Sequence, residues 1–184
     1  MADSSITKRA LASAMKELLK EVPFKRISVA DICERCDMNR KSFYYHFKDK
    51  YDLVNWIFDT EVALIFRGRR SEDGWDAVEL LCHYLYDNRD FYYKVFQVQG
   101  QNSLSEHFRE FLLPFLQERM AEAIGPGDVH RIGVNIFADG IVCAILRWLL
   151  DKECIPPEQF VSIVRKVVEG TARIVCEDIG REAG

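Results

Sequence analysis

The chain predicts an all-α protein in which an N-terminal three-helix head with a helix-turn-helix motif precedes a C-terminal helical bundle ending in a two-helix dimerisation interface. Three observations predict it. Apolar residues recur at three- and four-residue steps through most of the 184 residues, with no strand alternation and no hairpin signals. The segment SVADICERCDMNRKSFYYHF, residues 28–47, reads as two short helices around a tight corner. Near the C-terminus, IGVNIFADGIVCAILRWLL is apolar almost all round, so it carries more surface than one subunit needs to bury.

The first helix is expected from Ser5 to Glu21. Ile6, Ala10, Leu11, Ala14, Met15, Leu18, Leu19 and Val22 make its inner stripe, leaving Lys8, Arg9, Lys16 and Lys20 outside. Pro23 ends it, and Phe24 and Ile27 pack back as the chain enters the motif. There Ser28 caps a helix reaching Arg35, with Asp31 in the first turn, where the helix dipole favours a carboxylate. Cys36, Asp37 and Met38 make the corner. Asn39 caps a second helix, Arg40 to His46, barely two turns long.

Within that second helix only Phe43 points inward, together with Phe47 just beyond it, so the polar and aromatic residues between face something outside. A helix so placed is how a protein enters the major groove of DNA. Arg40 and Lys41 can reach guanine edges or phosphate, Ser42 either base type, and the Tyr44 and Tyr45 hydroxyls phosphate oxygens. Ser28, Asn39, His46 and Lys48 complete the expected DNA-binding set with Lys50, whose ammonium, beside free N–H groups at the start of the next helix, is expected at the DNA backbone.

The stretch RKSFYYHFKDKYDLV resembles the recognition helix of TetR-like transcriptional regulators and the start of the helix after it. In that pattern a capping residue, a small polar residue, an apolar residue, Tyr-x-His-Phe and a Lys fall at Asn39, Ser42, Phe43, Tyr44, His46, Phe47 and Lys50. The likeness is specific over roughly residues 7–53. Asp37 departs from it, standing where the family often has Gly; a left-handed corner tolerates Asp better than most residues, so the motif is expected to survive. FYYHFKDKYDLVNWIF is also similar to a subgroup that controls dihydroxyacetone utilisation, in which a TetR-like protein acts as a coactivator.

Charge supports a division into a head, residues 1–50, and a body, residues 51–184. Through Lys50 there are 11 Lys or Arg against 7 Asp or Glu, a balance of +4; the remainder has 14 against 22, a balance of −8. The head is therefore the nucleic-acid contact. MADSSITKRA leads into an amphipathic helix and lacks a secretory core, so a cytoplasmic protein is expected. Six cysteines at 33, 36, 82, 143, 154 and 176 form no framework. Cys33 and Cys36 lack the further ligands that a zinc site needs and read as packing residues, with a redox or metal role as the alternative.

From Asp49 or Lys50 an unbroken pattern runs to about Gly68, a helix of roughly 27 Å that acts as a stiff lever between head and body. After the turn SEDG, helices are expected over Trp75–Asn88; from a cap at Asp90 to a stop at Gln99-Gly100; and from Ser103 to Ile124 with a kink at Pro114. The turn GPGD precedes the last pair, Asp128–Lys152 and Pro157–Asp178.

By resemblance, the body holds an effector pocket. Its expected lining is Phe58, Val62, Trp75, Tyr84, Phe91, Tyr92, Phe96, Phe108, Phe111, Phe115 and Phe137, although any one of these rings reads equally well as ordinary core. His83, His107 and His130 are scattered over separate helices and read as surface or core histidines, with convergence on a metal as the alternative; no cofactor is expected.

The 19-residue apolar run is interrupted by Asn135, Asp139 and Arg147, which favours a buried interface helix over a membrane span. The interface is expected at Gly133, Phe137, Gly140, Ile141, Ala144 and Trp148, with Val164, Val168 and Ile174 from the last helix. Two copies are the simplest way to cover it.

These features point to a dimeric regulator, most readily a repressor, that binds double-stranded palindromic DNA and responds to a small molecule or protein partner in the body. The competing class is an interaction protein on the same scaffold, binding a protein through the body with no small-molecule pocket. An enzyme is disfavoured: no nucleophile with its base, no carboxylate pair at fixed spacing and no phosphate-cradling Gly loop appears.

Overall fold

A computed structural model describes residues 2–66, 74–98, 102–124 and 127–182. Among these lie nine helices and no strand: α1 (Ala2–Glu21), α2 (Val29–Arg35), α3 (Arg40–His46), α4 (Lys50–Phe66), α5 (Gly74–Asp87), α6 (Arg89–Phe96), α7 (Leu104–Ile124), α8 (Asp128–Leu150) and α9 (Pro157–Glu182), with a 3-10 turn at Phe24–Arg26. The all-α expectation holds. Asp90 does not cap α6: it stands inside the first turn, and Asn88 occupies the cap position, its side chain making no capping bond to the helix. That helix ends at Phe96, and the expected stop at Gln99-Gly100 lies outside the described residues, as do Gly68, most of SEDG and the first half of GPGD. The second half begins α8 with Gly127 at φ 146°, a conformation that glycine alone adopts freely. Pro114 lies within α7, where its missing N–H removes one helical bond.

The chain forms two compact units, one of Met1–Arg69 with Asn88–His107, the other of Arg70–Asp87 with Phe108–Gly184. In the first, α1 packs on α2, α3, α4 and α6. Leu11, Met15, Leu18 and Leu19 of α1 are buried with Phe24, Ile27, Ile32, Phe43, Phe47, Leu53, Ile57 and Phe58, and α6 adds Tyr92, Val95 and Phe96. Three short helices could not bury enough apolar surface by themselves. α4 and α6 supply the rest, so this compact unit takes in two helices that a boundary at residue 50 assigns to the body.

Polar ties fasten the same elements. Arg35 grips Glu21 through two parallel 2.8 Å bonds, joining α2 to α1. This pairing holds the Glu21 carboxyl below its ordinary range. Two α1 lysines expected outside are engaged: Lys16 pairs with Glu61 and stands 5.3 Å from the Phe91 ring, while Lys8 lies 5.5 Å and 5.7 Å from the rings of Phe47 and Trp56. Ile6, expected on the inner stripe, is instead exposed. The α6 residue Lys94 donates to the Leu19 carbonyl, one of the unsatisfied acceptors in the last turns of α1.

In the second unit α5 packs on α8 and α9. Leu81, Cys82 and Leu85 meet a core that includes Val134, Ala138, Val142, Ile145, Leu149, Phe160 and Val161. Burial pushes the Cys82 thiol up to about 12, so it behaves as a small apolar side chain. Segment His130–Leu150 is long and apolar enough to cross a membrane by length and composition alone. It nonetheless carries a polar edge, where Asp139 and Asn135 accept bonds from Arg109 of α7.

Candidate nucleic-acid interface

Local chemistry sets each step of the motif. At the start of α2 the Ser28 N–H donates to Asp31 Oδ2 at 2.7 Å while the Asp31 N–H donates to Ser28 Oγ at 3.2 Å, a reciprocal capping box. The Ser28 backbone bond, then its hydroxyl, hold the Asp31 carboxyl below the usual range. The corner closes through Met38 N–H to Cys33 O at 2.8 Å, with Asp37 in the left-handed region at φ 51°. A β-branched side chain there would collide with its own backbone. Asp37→Val is expected to cost about 1–2 kcal/mol in urea unfolding, whereas Asp37→Gly should hold stability within about 1 kcal/mol; equal midpoints for all three proteins would deny that the corner is strained.

Asn39 caps α3 as expected, its Oδ1 accepting the Ser42 N–H at 2.8 Å. Phe43 is fully buried and Phe47 nearly so, fixing which face of α3 turns outward. That face presents Arg40, Lys41, Tyr44 and Tyr45, the last 81% exposed, with Ser42 and His46 half-buried at its edges and Lys48 exposed beyond it. The structure thus brings Asn39, Arg40, Lys41, Ser42, Tyr44, Tyr45, His46 and Lys48 onto one short stretch, with Ser28 exposed at the start of α2.

Lys50 departs from expectation. Its Nζ donates to the carbonyls of Ile27 at 2.7 Å, Phe24 at 2.8 Å and Lys25 at 3.3 Å, and it sits 4.6 Å from the Phe24 ring. The expected anion site at the start of α4 is likewise filled by the chain's own carboxylates. Asp49 Oδ1 accepts from the N–H groups of Tyr51 and Asp52 at 2.8 Å and 2.9 Å, and Asp52 accepts the Lys48 N–H at 2.8 Å. Carboxylates on those donors leave them nothing to offer a phosphate.

Cys33 and Cys36 are free thiols, both pushed above their ordinary range by burial, and the Cys36 thiol lies 3.2 Å from the Ile32 carbonyl. Thiolate, the reactive and metal-binding form, is suppressed in both. Among the described residues no three His, Cys, Asp or Glu side chains gather as metal ligands. The three scattered histidines have separate partners: His83 is 3.4 Å from Glu158, His107 is 2.7 Å from Asp59, and His130 is 3.1 Å from the Gln117 carbonyl.

The residues expected to line a pocket are divided between the units. Phe58, Val62, Phe91, Tyr92 and Phe96 belong to the first, where Phe58 and Tyr92 meet edge to face at 6.4 Å inside the core. Trp75, Tyr84, Phe108, Phe111, Phe115 and Phe137 belong to the second, and Phe115 is 57% exposed.

Of the expected interface residues, Trp148 is satisfied within its own chain. Its ring stacks on Phe160 at 4.4 Å and on Tyr86 at 6.0 Å, and its indole N–H donates to the Ile155 carbonyl at 2.8 Å. Gly140 is exposed, and a Cβ there would meet nothing within 4 Å. Ile174 is exposed, but Gly133, Phe137, Ile141, Ala144, Val164 and Val168 are half-buried. Besides Ile174, uncovered apolar surface on these helices lies one position before expected residues, at Ile132 and Ile136 of α8 and Ile163 and Val167 of α9. Sequence reasoning missed these four, although their i, i+4 spacing marked them as a second stripe.

Comparison with known proteins agrees with this geometry. Residues 11–57 match the model for bacterial regulatory proteins of the tetR family, and residues 73–170 match a transcriptional regulator C-terminal region. A relative from Lactococcus lactis subsp. lactis (strain IL1403), the HTH-type dhaKLM operon transcriptional activator DhaS, is 33% identical over 157 residues, covering 80% of this chain and 81% of its own. The fold is shared with a solved dihydroxyacetone kinase operon activator DhaS, with a TM-score of 0.61 at 23% identity over 92% of this chain and 97% of that one. It is also shared with a TetR transcriptional regulator from Streptococcus agalactiae 2603V, with a TM-score of 0.68 at 17% identity over 88% and 93%. A helix-turn-helix head with an exposed cationic, tyrosine-bearing second helix, matched family models over both halves and a relative aligned along most of its length together show that the chain belongs to the tetR family of transcriptional regulators.

Proposed function

We propose that the protein is a dimer that binds a palindromic operator through the exposed face of α3 and, like the relative named as an activator, raises transcription of the operon it serves. The observation that carries the DNA-binding reading is the outward face of α3, where Arg40, Lys41, Tyr44 and Tyr45 stand exposed above a fully buried Phe43. Arg40 and Lys41 act at base edges, while Tyr44, Tyr45 and Lys48 hold the backbone on either side. Pairing through α8 and α9 presents two heads to half-sites roughly 34 Å apart. If each subunit neutralises three or four phosphates, the logarithm of affinity falls against log salt with a slope of roughly −5 to −7.

Lys41→Ala is expected to weaken operator binding by about 1–3 kcal/mol and to relax preference at one base pair. Selection from random-sequence DNA followed by anisotropy titration checks both; unchanged affinity would remove α3 from the contact face. Repression is the sequence-based expectation, and the 33%-identical relative named as an operon activator favours activation instead. A reporter behind the selected operator, with and without this protein, distinguishes the two.

The body is proposed to receive the controlling signal from a small molecule or a protein partner. The exposed stripe on α8 and α9 is assigned to self-association. Thermal shift against a metabolite panel, paired with affinity capture, separates ligand from protein, because a small molecule that binds only the folded state raises the melting temperature by mass action. The protein is assigned to the cytoplasm, where DNA and a reducing environment suit its free thiols.

A further inference from the structure

We infer that Lys50 is a positioning residue, an internal latch that fixes the start of α4 to the turn leading into the helix-turn-helix motif, and that it makes no contact with DNA phosphate. The inference rests on the DNA-binding reading of α3 only for its functional consequence; the latch itself is geometric. An ammonium has three N–H donors and no acceptor. Those of Lys50 meet three backbone carbonyls within four consecutive residues: Phe24, Lys25 and Ile27. The next residue of α4 grips the same turn, the Tyr51 ring meeting the buried Phe24 ring edge to face at 5.2 Å. A short 3-10 turn runs out of backbone donors for its last carbonyls. A cation whose hydrogen bonds are charge-assisted is a strong substitute, and the faces of two aromatic rings, at 4.6 Å and 5.9 Å, complete its surroundings.

The consequence for the motif follows from chain order. Ile27 directly precedes Ser28, whose capping box sets the first turn of α2, and α2 packs on α3. Fixing the Ile27 carbonyl therefore fixes where α2 begins and with it the seat of the reading helix. Displacement of α4 would reach α3 through this clasp as well as through apolar packing. Burial pulls the Lys50 ammonium below its ordinary range and the Asp31 carboxylate opposes that pull, which agrees with a cation turned into the protein.

The test compares wild type, Lys50→Met, Lys50→Gln and Lys48→Ala on a mixed-sequence duplex of about 40 base pairs, long enough for two half-sites. Affinity is titrated across salt, and amide hydrogen exchange is followed over residues 27–33. As a latch, Lys50→Met lowers affinity roughly tenfold at every salt concentration without changing the slope, and it raises exchange over those amides by a similar factor. Lys50→Gln, uncharged but able to donate to one or two of the carbonyls, recovers part of both. Lys48→Ala instead flattens the slope by about one per subunit and leaves exchange unchanged.

A slope flattened by about one per subunit in both Lys50 variants, with unchanged exchange, would make Lys50 a phosphate ligand and overturn the latch. If wild type ignores the duplex at all salt concentrations, the DNA-binding reading falls and the exchange comparison alone decides the latch. Should Lys50→Met fail to fold, Lys50→Gln carries the comparison.

Discussion

Truncating Phe43 to alanine is expected to remove about 3–5 kcal/mol of stability from the first compact unit and to abolish DNA binding at physiological temperature. Phe43 has no exposed surface and packs against the rings of Tyr44 at 5.5 Å and Phe47 at 5.8 Å. It is the buried anchor of a seven-residue helix. So short a helix has almost no stability of its own, because nucleation costs more than two turns of hydrogen bonding return. Its order comes from that anchor and from the Asn39 cap. Phe43→Leu, which keeps most of the volume, should lose no more than about 1.5 kcal/mol. Denaturant unfolding of the two variants checks the pair. A loss under about 1 kcal/mol for the alanine variant would mean that the ring does not hold α3 in place.

Changing Ile136 to glutamate is expected to convert the proposed dimer to monomer while leaving the fold of each chain intact. Ile136 is 65% exposed in the single chain, so the substitution should shift monomer stability by no more than about 0.5 kcal/mol. In a symmetric pair each subunit contributes its own copy, so two apolar contacts are lost and two carboxylates are buried. At about 1.5–3 kcal/mol for each buried isoleucine, with desolvation of the charges added, dimer affinity should fall by roughly a thousandfold or more. Sedimentation would show the smaller species, and operator affinity at fixed protein concentration would collapse with it. If the sedimentation profile does not move, the uncovered stripe belongs to another contact.

How much could be read from the sequence depended on how local the determining chemistry was. α3 was legible to its end residues because Asn39 and Phe43 act within one turn of themselves, and the Asp37 corner because its φ restriction belongs to the residue alone. Lys50 was not. Its charge and its place after a recognition helix point to phosphate, and only folding brings carbonyls more than twenty residues upstream within reach. In α8 the residues expected at the interface, Gly133 and Phe137, stand one position after the exposed Ile132 and Ile136. A helix apolar on nearly every side has no phase to follow, so burial within the second unit, not pattern, decides that Val134, Ala138 and Val142 turn inward and Ile132 and Ile136 do not. The pocket residues were chosen by ring type alone, and ring type does not distinguish filling a core from lining a space.

The discontinuous make-up of the first compact unit bears on any attempt to transplant its DNA specificity into a relative. Severing the chain after Arg69 would leave behind Tyr92, Val95, Phe96 and the Lys94 ammonium that closes the end of α1, stripping the excised piece of one wall. A chimera that keeps its donor's operator preference and still folds must carry Asn88–His107 along with the first 69 residues.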